Sequence, residues 1–243
     1  MCINDSIFCT DFVNSRFLVE TIEIFCEFLE AAIHMILYVR EIYPATLFET
    51  RKKYNVPVPM SRHPQLNAYI QDMVLACRPD LEKGDVETMT LVVVNKNQIP
   101  IERFVFEINT LFEPKDKGEQ RIGSMNANDV ELYLRAFLLK ISVCDAMLKP
   151  NPNGCTFSLV IQLQDGINTP TQAKDGYPWI PAEPNQQPMG MPRADLIMLK
   201  SIDTGLLKVQ LYVEESNVEE KYTGKDPSGF GITQSNPSPL RRL

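Results

Sequence analysis

Three stretches of the chain carry apolar residues at helical spacing, and each predicts an amphipathic helix. In the first, residues 20–41, polar side chains fall on one narrow stripe and apolar side chains fill the rest of the surface. Such a helix must be buried on most sides, so we expect it at the centre of the fold, ending before Pro44. The polar stripe consists of Glu20, Glu23, Glu27, Glu30, His34, Tyr38 and Glu41.

The second and third helices are predicted from their start signals as well as from their spacing. Pro64, directly after His63, suits the first turn of a helix, and residues 66–77 supply an apolar stripe for its inner face. The third helix is predicted over residues 128–148. Asn128 is a suitable N-cap for it, and the acidic residues that follow favour the positive end of the helix dipole.

Segments rich in β-branched and aromatic residues predict strands between and after these helices. Four polar residues of turn type, 95–98, join the first two segments into a predicted β-hairpin. Residues 51–60 and 111–127 carry prolines or glycines and are predicted as loops. The predicted strands are residues 89–94, 101–108, 156–163, 196–199 and 206–213.

One segment, residues 164–195, is unusual in length and composition. Its 32 residues include six prolines and the only tryptophan of the chain, Trp179. A structureless stretch of this length inside a compact domain is usually functional or disordered. Because it leaves the predicted sheet and then rejoins it, it has the form of a closing segment. Residues 214–243, which come after the last predicted strand, are polar and are predicted to be disordered.

Charge and hydropathy limit what the protein can bind. The chain has a net charge of −7, and its only basic cluster is Arg51-Lys52-Lys53. Direct binding of nucleic acid is therefore disfavoured, because phosphate contacts need a basic face. Any role on DNA is expected to run through a protein partner. The richest apolar stretch, residues 17–39, is interrupted by acidic residues, which disfavours a membrane span. The start lacks secretory features, so we expect a cytosolic or nuclear protein.

Candidate catalytic and metal-binding residues are few. The chain has six scattered cysteines and two histidines, and none of these residues has the clustering that a zinc site needs. Two alternatives remain: a metal held by the glutamate stripe, and Cys155 as a nucleophile. Neither has a histidine suitably placed for acid–base work, and an ion pair with Glu30 is the expected role of His34. The sequence therefore favours a non-catalytic protein without a cofactor.

Several longer strings carry a resemblance to a known family, in the same order along the chain. They resemble the HORMA-domain family and, within it, the accessory subunits of DNA polymerase zeta, the B-type paralogues of the spindle-checkpoint Mad proteins. The resemblance covers about residues 25–215. Its strings are Cys26-Glu-Phe-Leu-Glu30, Leu37-Tyr-Val-Arg-Glu41, Arg51-Lys-Lys-Tyr-Asn-Val-Pro-Val58, Tyr69-Ile-Gln-Asp72, Phe104-Val-Phe-Glu-Ile108, Lys140-Ile-Ser-Val-Cys-Asp-Ala146, Gly154-Cys-Thr-Phe157, Pro178-Trp-Ile180 and Leu211-Tyr-Val-Glu-Glu215.

The resemblance implies an α+β HORMA domain over residues 20–213. Three central helices would pack on a mainly antiparallel sheet, with residues 1–19 as an N-terminal extension. Residues 162–213 would form a "safety belt" that wraps over a bound peptide and locks it against the sheet. This mode of capture combines strand addition with enclosure.

The resemblance also implies which residues bind partners. Tyr69 and Trp179 match the peptide pocket, where aromatic rings would face prolines of the catalytic subunit of DNA polymerase zeta. A second surface, at Leu196, Gln210 and Tyr212, matches the site that binds the C-terminal domain of a Y-family polymerase. Gln210 and Tyr212 alternate along one predicted strand and so share a face.

One further residue, Arg135, matches a position used in HORMA–HORMA dimer contacts. The resemblance thus implies a nuclear, non-catalytic adaptor for translesion synthesis, with some cytoplasmic or spindle association. It also implies double-strand-break repair factors as clients. The alternative is a checkpoint-type inhibitor that binds activators of the mitotic ubiquitin ligase, the anaphase-promoting complex.

Overall fold

The central helix of the protein is α1, which spans Asp5–Val39. The structure, a computed structural model, describes residues 5–110, 127–167, 191, 194–203 and 207–217. Phe28 of α1 is fully buried; its ring lies 6.1 Å from that of Phe106 and 5.6 Å from that of Phe137, both edge-on. These contacts join α1 to the sheet and to another helix, and they confirm its central place. The helix begins well before residue 20, because residues 5–19 contain no proline or glycine to stop it.

The other two helices pack beside α1. Helix α2 spans Pro64–Lys83; the backbone N–H of Leu66 donates to Nδ1 of His63, which caps it, and Gly84 ends it in a left-handed conformation. Helix α3 spans Ala127–Ile141 and is shorter than predicted. It ends before Ser142 and Val143, residue types with weak helix propensity, and a 3-10 turn, Cys144–Met147, follows.

The five-stranded sheet is antiparallel throughout, with the strand order β5-β3-β4-β7-β6. Strands β3 and β4 form the predicted hairpin, and β5 pairs with the other side of β3. Strands β6 and β7 form a second hairpin on β4. This arrangement agrees with the predicted α+β class, in which three helices pack on a mainly antiparallel sheet. The bounds are β3 Val86–Val94, β4 Pro100–Thr110, β5 Thr156–Leu163, β6 Asp195–Asp203 and β7 Leu207–Glu215.

The prediction of a loop over residues 51–60 is wrong. This stretch lies in a separate two-stranded hairpin, β1 (Phe48–Lys53) and β2 (Val56–Ser61). Pro57 and Pro59 are tolerated because β2 pairs on only one side in the two-stranded sheet. Two buried valines of β2, Val56 and Val58, hold the hairpin on the core.

The predicted ion pair between His34 and Glu30 is also wrong. His34 is fully buried, and its Nδ1 accepts a hydrogen bond of 3.5 Å from the backbone N–H of Ser61 on β2. Burial, with a smaller effect from Arg51, lowers the pKa of His34 to about 4. The imidazole is therefore neutral at physiological pH and links α1 to the β1–β2 hairpin.

Other residues of the glutamate stripe pair with cations from neighbouring elements. Glu23 lies 2.6 Å from Arg78 of α2, and Glu27 lies 2.5 Å from Lys53 of β1. These pairs tie α1 to its neighbours. Across the residues that the structure describes, no helix is long and apolar enough to cross a membrane.

The prediction of disorder is wrong for residues 214 and 215. Glu214 and Glu215 are the last residues of β7, and both Glu215 and Ser216 are buried. Glu214 lies 2.9 Å from Arg103, the residue opposite it on β4. The charges of Glu214 and Glu215 made them resemble part of a polar tail, but each carboxylate lies next to a cation in the fold.

Candidate functional site

Strand β5 forms one edge of the sheet and offers a place for another strand. It pairs with β3 on one side, and in the described part of the chain no strand pairs with its other side. An edge strand presents unpaired N–H and C=O groups that can bind an extended segment. β5 is therefore one sheet edge at which a peptide could add.

Three aromatic side chains lie in a row beside this edge. Phe157 of β5 is in the middle: its ring centroid lies 5.8 Å from that of Tyr69 on α2 and 6.3 Å from that of Tyr43, which follows α1. Both contacts are edge-to-face, a favourable geometry for aromatic pairs. We call Tyr43, Phe157 and Tyr69 the aromatic row. The side chain of Tyr69 remains 39% exposed, so a ligand can reach it.

The hydroxyl of Tyr69 lies close to the edge strand. Burial of this hydroxyl raises the pKa of Tyr69, and a hydrogen bond from the backbone of Leu159 on β5 partly offsets that rise. A hydrogen bond that lowers the pKa of a phenol is one in which the backbone N–H donates to its oxygen. The Tyr69 hydroxyl thus lies near the edge strand, while part of the residue stays exposed.

A cavity of about 490 Å³ continues the aromatic row beyond Tyr43. Polar and apolar atoms contribute about equally to its wall, and Glu41 is the charged residue among those that line it. The lining residues are Tyr38, Val39, Glu41, Ile42, Tyr43, Pro44, Ala45 and Gly154.

The predicted belt, residues 162–213, leaves the sheet at one edge and rejoins it at the other. Residues 162–163 close β5, whereas β6 begins at Asp195 on the far edge, four strands away in the order of the sheet. Where the belt leaves β5, the backbone N–H of Gln164 donates to the carbonyl of Asp85. Trp179, the second predicted pocket residue, lies outside the described residues.

The three residues predicted to bind a second polymerase lie close together on the β6–β7 hairpin. Tyr212 is in register with Met198, and Gln210 is in register with Ser201. Leu196 lies two residues before Met198, on the same side of β6. Leu196 and Met198 are 59% and 51% exposed. Met198 therefore extends this surface, although sequence analysis did not identify it.

A third exposed surface lies on and after α3. Four large apolar side chains, spaced seven, four and four residues apart, are each about half exposed or more. They are Leu132, Leu139, Val143 and Met147. Arg135, the predicted dimer residue, is half-buried on the same helix. An exposed apolar stripe of this kind is typical of protein–protein contacts.

The candidates for catalysis have structural partners. Glu23 and Glu27 are in ion pairs, and the thiol of Cys155 donates to the carbonyl of Pro152 at 3.0 Å. Burial raises the pKa of the Cys26 thiol to about 12, and it also raises that of Cys144 to about 12. In the described residues, no group of three or more histidine, cysteine or acidic side chains could hold a metal ion.

A free strand edge beside an aromatic row, on three helices and an antiparallel sheet, is a geometry suited to the addition of an extended peptide strand. The HORMA domain family model matches residues 22–165, so the chain belongs to that family. Within it, the chain is 46% identical over 200 residues to the human "Mitotic spindle assembly checkpoint protein MAD2B", covering 79% of this chain and 90% of that protein. It is 32% identical over 209 residues to the "DNA polymerase zeta processivity subunit" of Schizosaccharomyces pombe, covering 84% and 94%.

Solved structures have the same fold. A chain of the "Mitotic Checkpoint Complex" crystal structure superposes with a TM-score of 0.64 at 21% identity, covering 81% of this chain and 98% of that one. "C. elegans HTP-2 bound to HIM-3 closure motif" superposes with a TM-score of 0.58 at 14% identity, covering 83% and 90%. Both confirm the three-helix, antiparallel-sheet architecture predicted from the sequence.

Two residues of the aromatic row were missed by the sequence analysis. Phe157 was part of a quoted string and Tyr43 followed another, but nothing local distinguishes them from core residues. The available signal was their position: Phe157 is the second residue of a strand that follows a turn, and Tyr43 directly precedes Pro44. Only the strand order shows that they meet at a free edge.

Proposed function

We propose that this protein is a non-catalytic adaptor that captures an extended peptide as an added strand on β5. The free edge of β5, flanked by the aromatic row, is the single observation that carries this proposal. Backbone hydrogen bonds along the edge would supply affinity, and the aromatic row would supply selectivity. Residues 162–213 would then close over the peptide as a belt.

Proline-containing peptides suit this edge best. An aromatic ring offers a proline ring a large contact area at low entropic cost. Tyr69 and Trp179 are the residues proposed to make that contact.

The catalytic subunit of DNA polymerase zeta is the proposed source of the peptide. Relatives that cover most of the chain are named as the processivity subunit of that polymerase, which supports this partner. The surface at Leu196, Gln210 and Tyr212 is proposed to bind the C-terminal domain of a Y-family polymerase. The two sites lie on opposite edges of the sheet, so one molecule could bridge both polymerases and act in translesion synthesis in the nucleus.

A second candidate function is supported by the names of the more similar relatives. The human protein at 46% identity is named a mitotic spindle assembly checkpoint protein. The same strand edge could therefore bind activators of the mitotic ubiquitin ligase and inhibit them, with some cytoplasmic or spindle association. Partners that co-purify from dividing cells separate the two: ubiquitin-ligase activators without any polymerase zeta subunit would favour this alternative.

Two further interactions follow from the adaptor proposal. Double-strand-break repair factors with a similar proline-containing segment would compete for the same edge. The apolar stripe on α3, with Arg135 beside it, is proposed as a HORMA–HORMA dimer contact. Neither interaction needs a cofactor or direct contact with nucleic acid.

A peptide titration tests the main proposal. The purified protein is titrated with a proline-containing peptide of the polymerase zeta catalytic subunit while the fluorescence of its only tryptophan, Trp179, is followed. We expect a saturable shift that is lost in Tyr69→Ala and kept in Tyr133→Ala, a control tyrosine of similar exposure on α3. Absence of binding by calorimetry as well would refute this client and favour the checkpoint alternative.

A further inference from the structure

Three carboxylates lie side by side in one row across three neighbouring strands. Glu215 at the end of β7 is in register with Glu102 on β4 and with Asp195 at the start of β6. Glu102 and Glu215 are 0% and 1% exposed. Like charges directly opposite each other on adjacent strands repel, and a buried carboxylate is costly unless it is paired. The pairing of β7 with β4 therefore needs counter-charges at this row.

Arg40, which directly follows α1, supplies the first counter-charge. Its Nε lies 3.0 Å and its Nη2 2.5 Å from the two oxygens of Glu102, a two-pronged contact. The same guanidinium bonds Asp145 in the turn after α3. The Arg40 and Glu102 side chains are 1% and 0% exposed, so this pair is closed to solvent, whereas the Asp145 side chain is exposed.

Lys149, just beyond the turn that follows α3, supplies the second counter-charge. Its Nζ lies 3.3 Å from Asp195 and 3.6 Å from Glu215, and its backbone N–H donates to Glu215 at 2.7 Å. Its carbonyl accepts a bond of 2.6 Å from Arg40. One lysine thus holds both the first strand residue and the last strand residue of the β6–β7 hairpin. Its side chain is 37% exposed, unlike that of Arg40.

We propose that Arg40 and Lys149 form an ionic latch that holds the open end of the β6–β7 hairpin on β4, with Lys149 as the part that can open. Without the Lys149 charge, Arg40 is the cation that the contacts above leave at this row of three carboxylates, and it also pairs with Asp145. The end of β7 then separates from β4 while the interior of the sheet stays paired. In the adaptor proposed above, on which this consequence rests, an open latch would loosen the Leu196–Tyr212 surface.

The latch is testable in the full chain without any client. Hydrogen exchange is followed by mass spectrometry in wild type, Lys149→Gln and Lys52→Gln, the last an exposed lysine of β1 that serves as the charge control. We expect amides of β6 and β7 to exchange at least tenfold faster in Lys149→Gln, with β3 amides unchanged. Lys52→Gln should match wild type in both regions.

Repeating the Lys149→Gln substitution in a Glu215→Gln variant tests whether its effect depends on the row of three carboxylates. Glu215→Gln removes one carboxylate yet keeps an acceptor for the Lys149 backbone N–H. In that background Lys149→Gln should accelerate β6–β7 exchange by less than about threefold, since less repulsion is left to balance. Exchange of β6–β7 within about twofold of wild type in Lys149→Gln, equal acceleration of β3, or a full effect in the Glu215→Gln background would each overturn the latch. None of these readings depends on the proposed peptide or polymerase.

Discussion

The ring of Tyr69 on α2 stands edge-on to the ring of Phe157 on β5, with centroids 5.8 Å apart. One residue comes from a helix and the other from the free edge of the sheet, so the pair brings an aromatic surface to the place where a strand can add. The same edge-to-face contact holds the Tyr69 ring beside the edge before any ligand arrives. Positioning in advance reduces the entropic cost of binding.

Truncating the aromatic row should weaken peptide capture. We expect Tyr69→Ala and Phe157→Ala each to cost about 1.5–3 kcal/mol in binding free energy, as for buried aromatic anchors at interfaces. Tyr69→Phe keeps the ring and loses only the bond to Leu159, so its cost should be about 1 kcal/mol or less. Calorimetric titration with the polymerase peptide measures all three, and Tyr133→Ala is the control. Equal losses in Tyr69→Phe and Tyr69→Ala would mean that the ring contributes nothing.

Trp179 is predicted to be the second anchor of the peptide. Trp179→Ala should weaken capture by more than about 2 kcal/mol, because a large aromatic side chain in a pocket carries much of the binding energy. The measurement is calorimetry on a variant whose circular dichroism matches wild type. An unchanged affinity with an intact fold would remove Trp179 from the pocket.

The β6–β7 surface is predicted to act independently of the β5 edge. Gln210→Ala combined with Tyr212→Ala should leave the affinity for the peptide unchanged and reduce that for the Y-family polymerase domain by at least tenfold, about 1.4 kcal/mol. Met198→Ala should weaken the same partner, since Met198 lies opposite Tyr212 and is half exposed. Pull-down of both partners from one lysate reads out the two sites together. Loss of both partners at once would contradict separate surfaces.

Periodicity predicted the parts of the fold that local spacing determines. The thin polar stripe of α1 placed this helix at the centre because few of its faces could be solvated, and Phe28 is indeed packed between Phe106 and Phe137. The same reasoning failed for His34, since a helical wheel shows a stripe but not what lies against it. β2 covers that side of α1, and His34 is buried beneath it.

Strand order is the part of the site that no local pattern reveals. Phe157 and Leu211 both lie in segments of strand character, yet one strand is at an edge and the other is paired on both sides. Which of them can accept a peptide depends on pairings between residues far apart in the chain. The proline residues of β2 misled the analysis for the same reason, because Pro57 is tolerated only on a strand with an unpaired side.

The buried His34 predicts a loss of stability in acid. Its pKa in the fold is about 4, below the value of about 6.5 for an unfolded chain. Between these values the unfolded state binds more protons, so its contribution is fully present above pH 6.5 and is lost as pH falls toward 4. We expect a loss of about 2 kcal/mol between pH 7.5 and pH 5 from this group. Urea unfolding at both pH values measures it.

The variant His34→Leu removes the titration and keeps an apolar group in the core. Its stability should be lower than that of wild type at pH 7.5, because the N–H of Ser61 loses its acceptor. The difference in unfolding free energy between pH 7.5 and pH 5 should, however, shrink by about 2 kcal/mol. An unchanged difference would show that other groups cause the acid sensitivity.

Arg40 is predicted to be the most costly single charge to remove. Arg40→Met keeps much of the side-chain volume but leaves Glu102 buried without its counter-charge, and breaking a buried pair in this way costs about 3–5 kcal/mol. The matched control is Arg51→Met, whose partner Glu49 and whose own side chain are exposed; there we expect a loss below about 1 kcal/mol. Adding Glu102→Gln to Arg40→Met should restore part of the stability, since the uncompensated charge is then gone. Chemical unfolding of the four proteins measures these changes, and equal losses in the two arginine variants would mean that the buried pair contributes no more than a surface one.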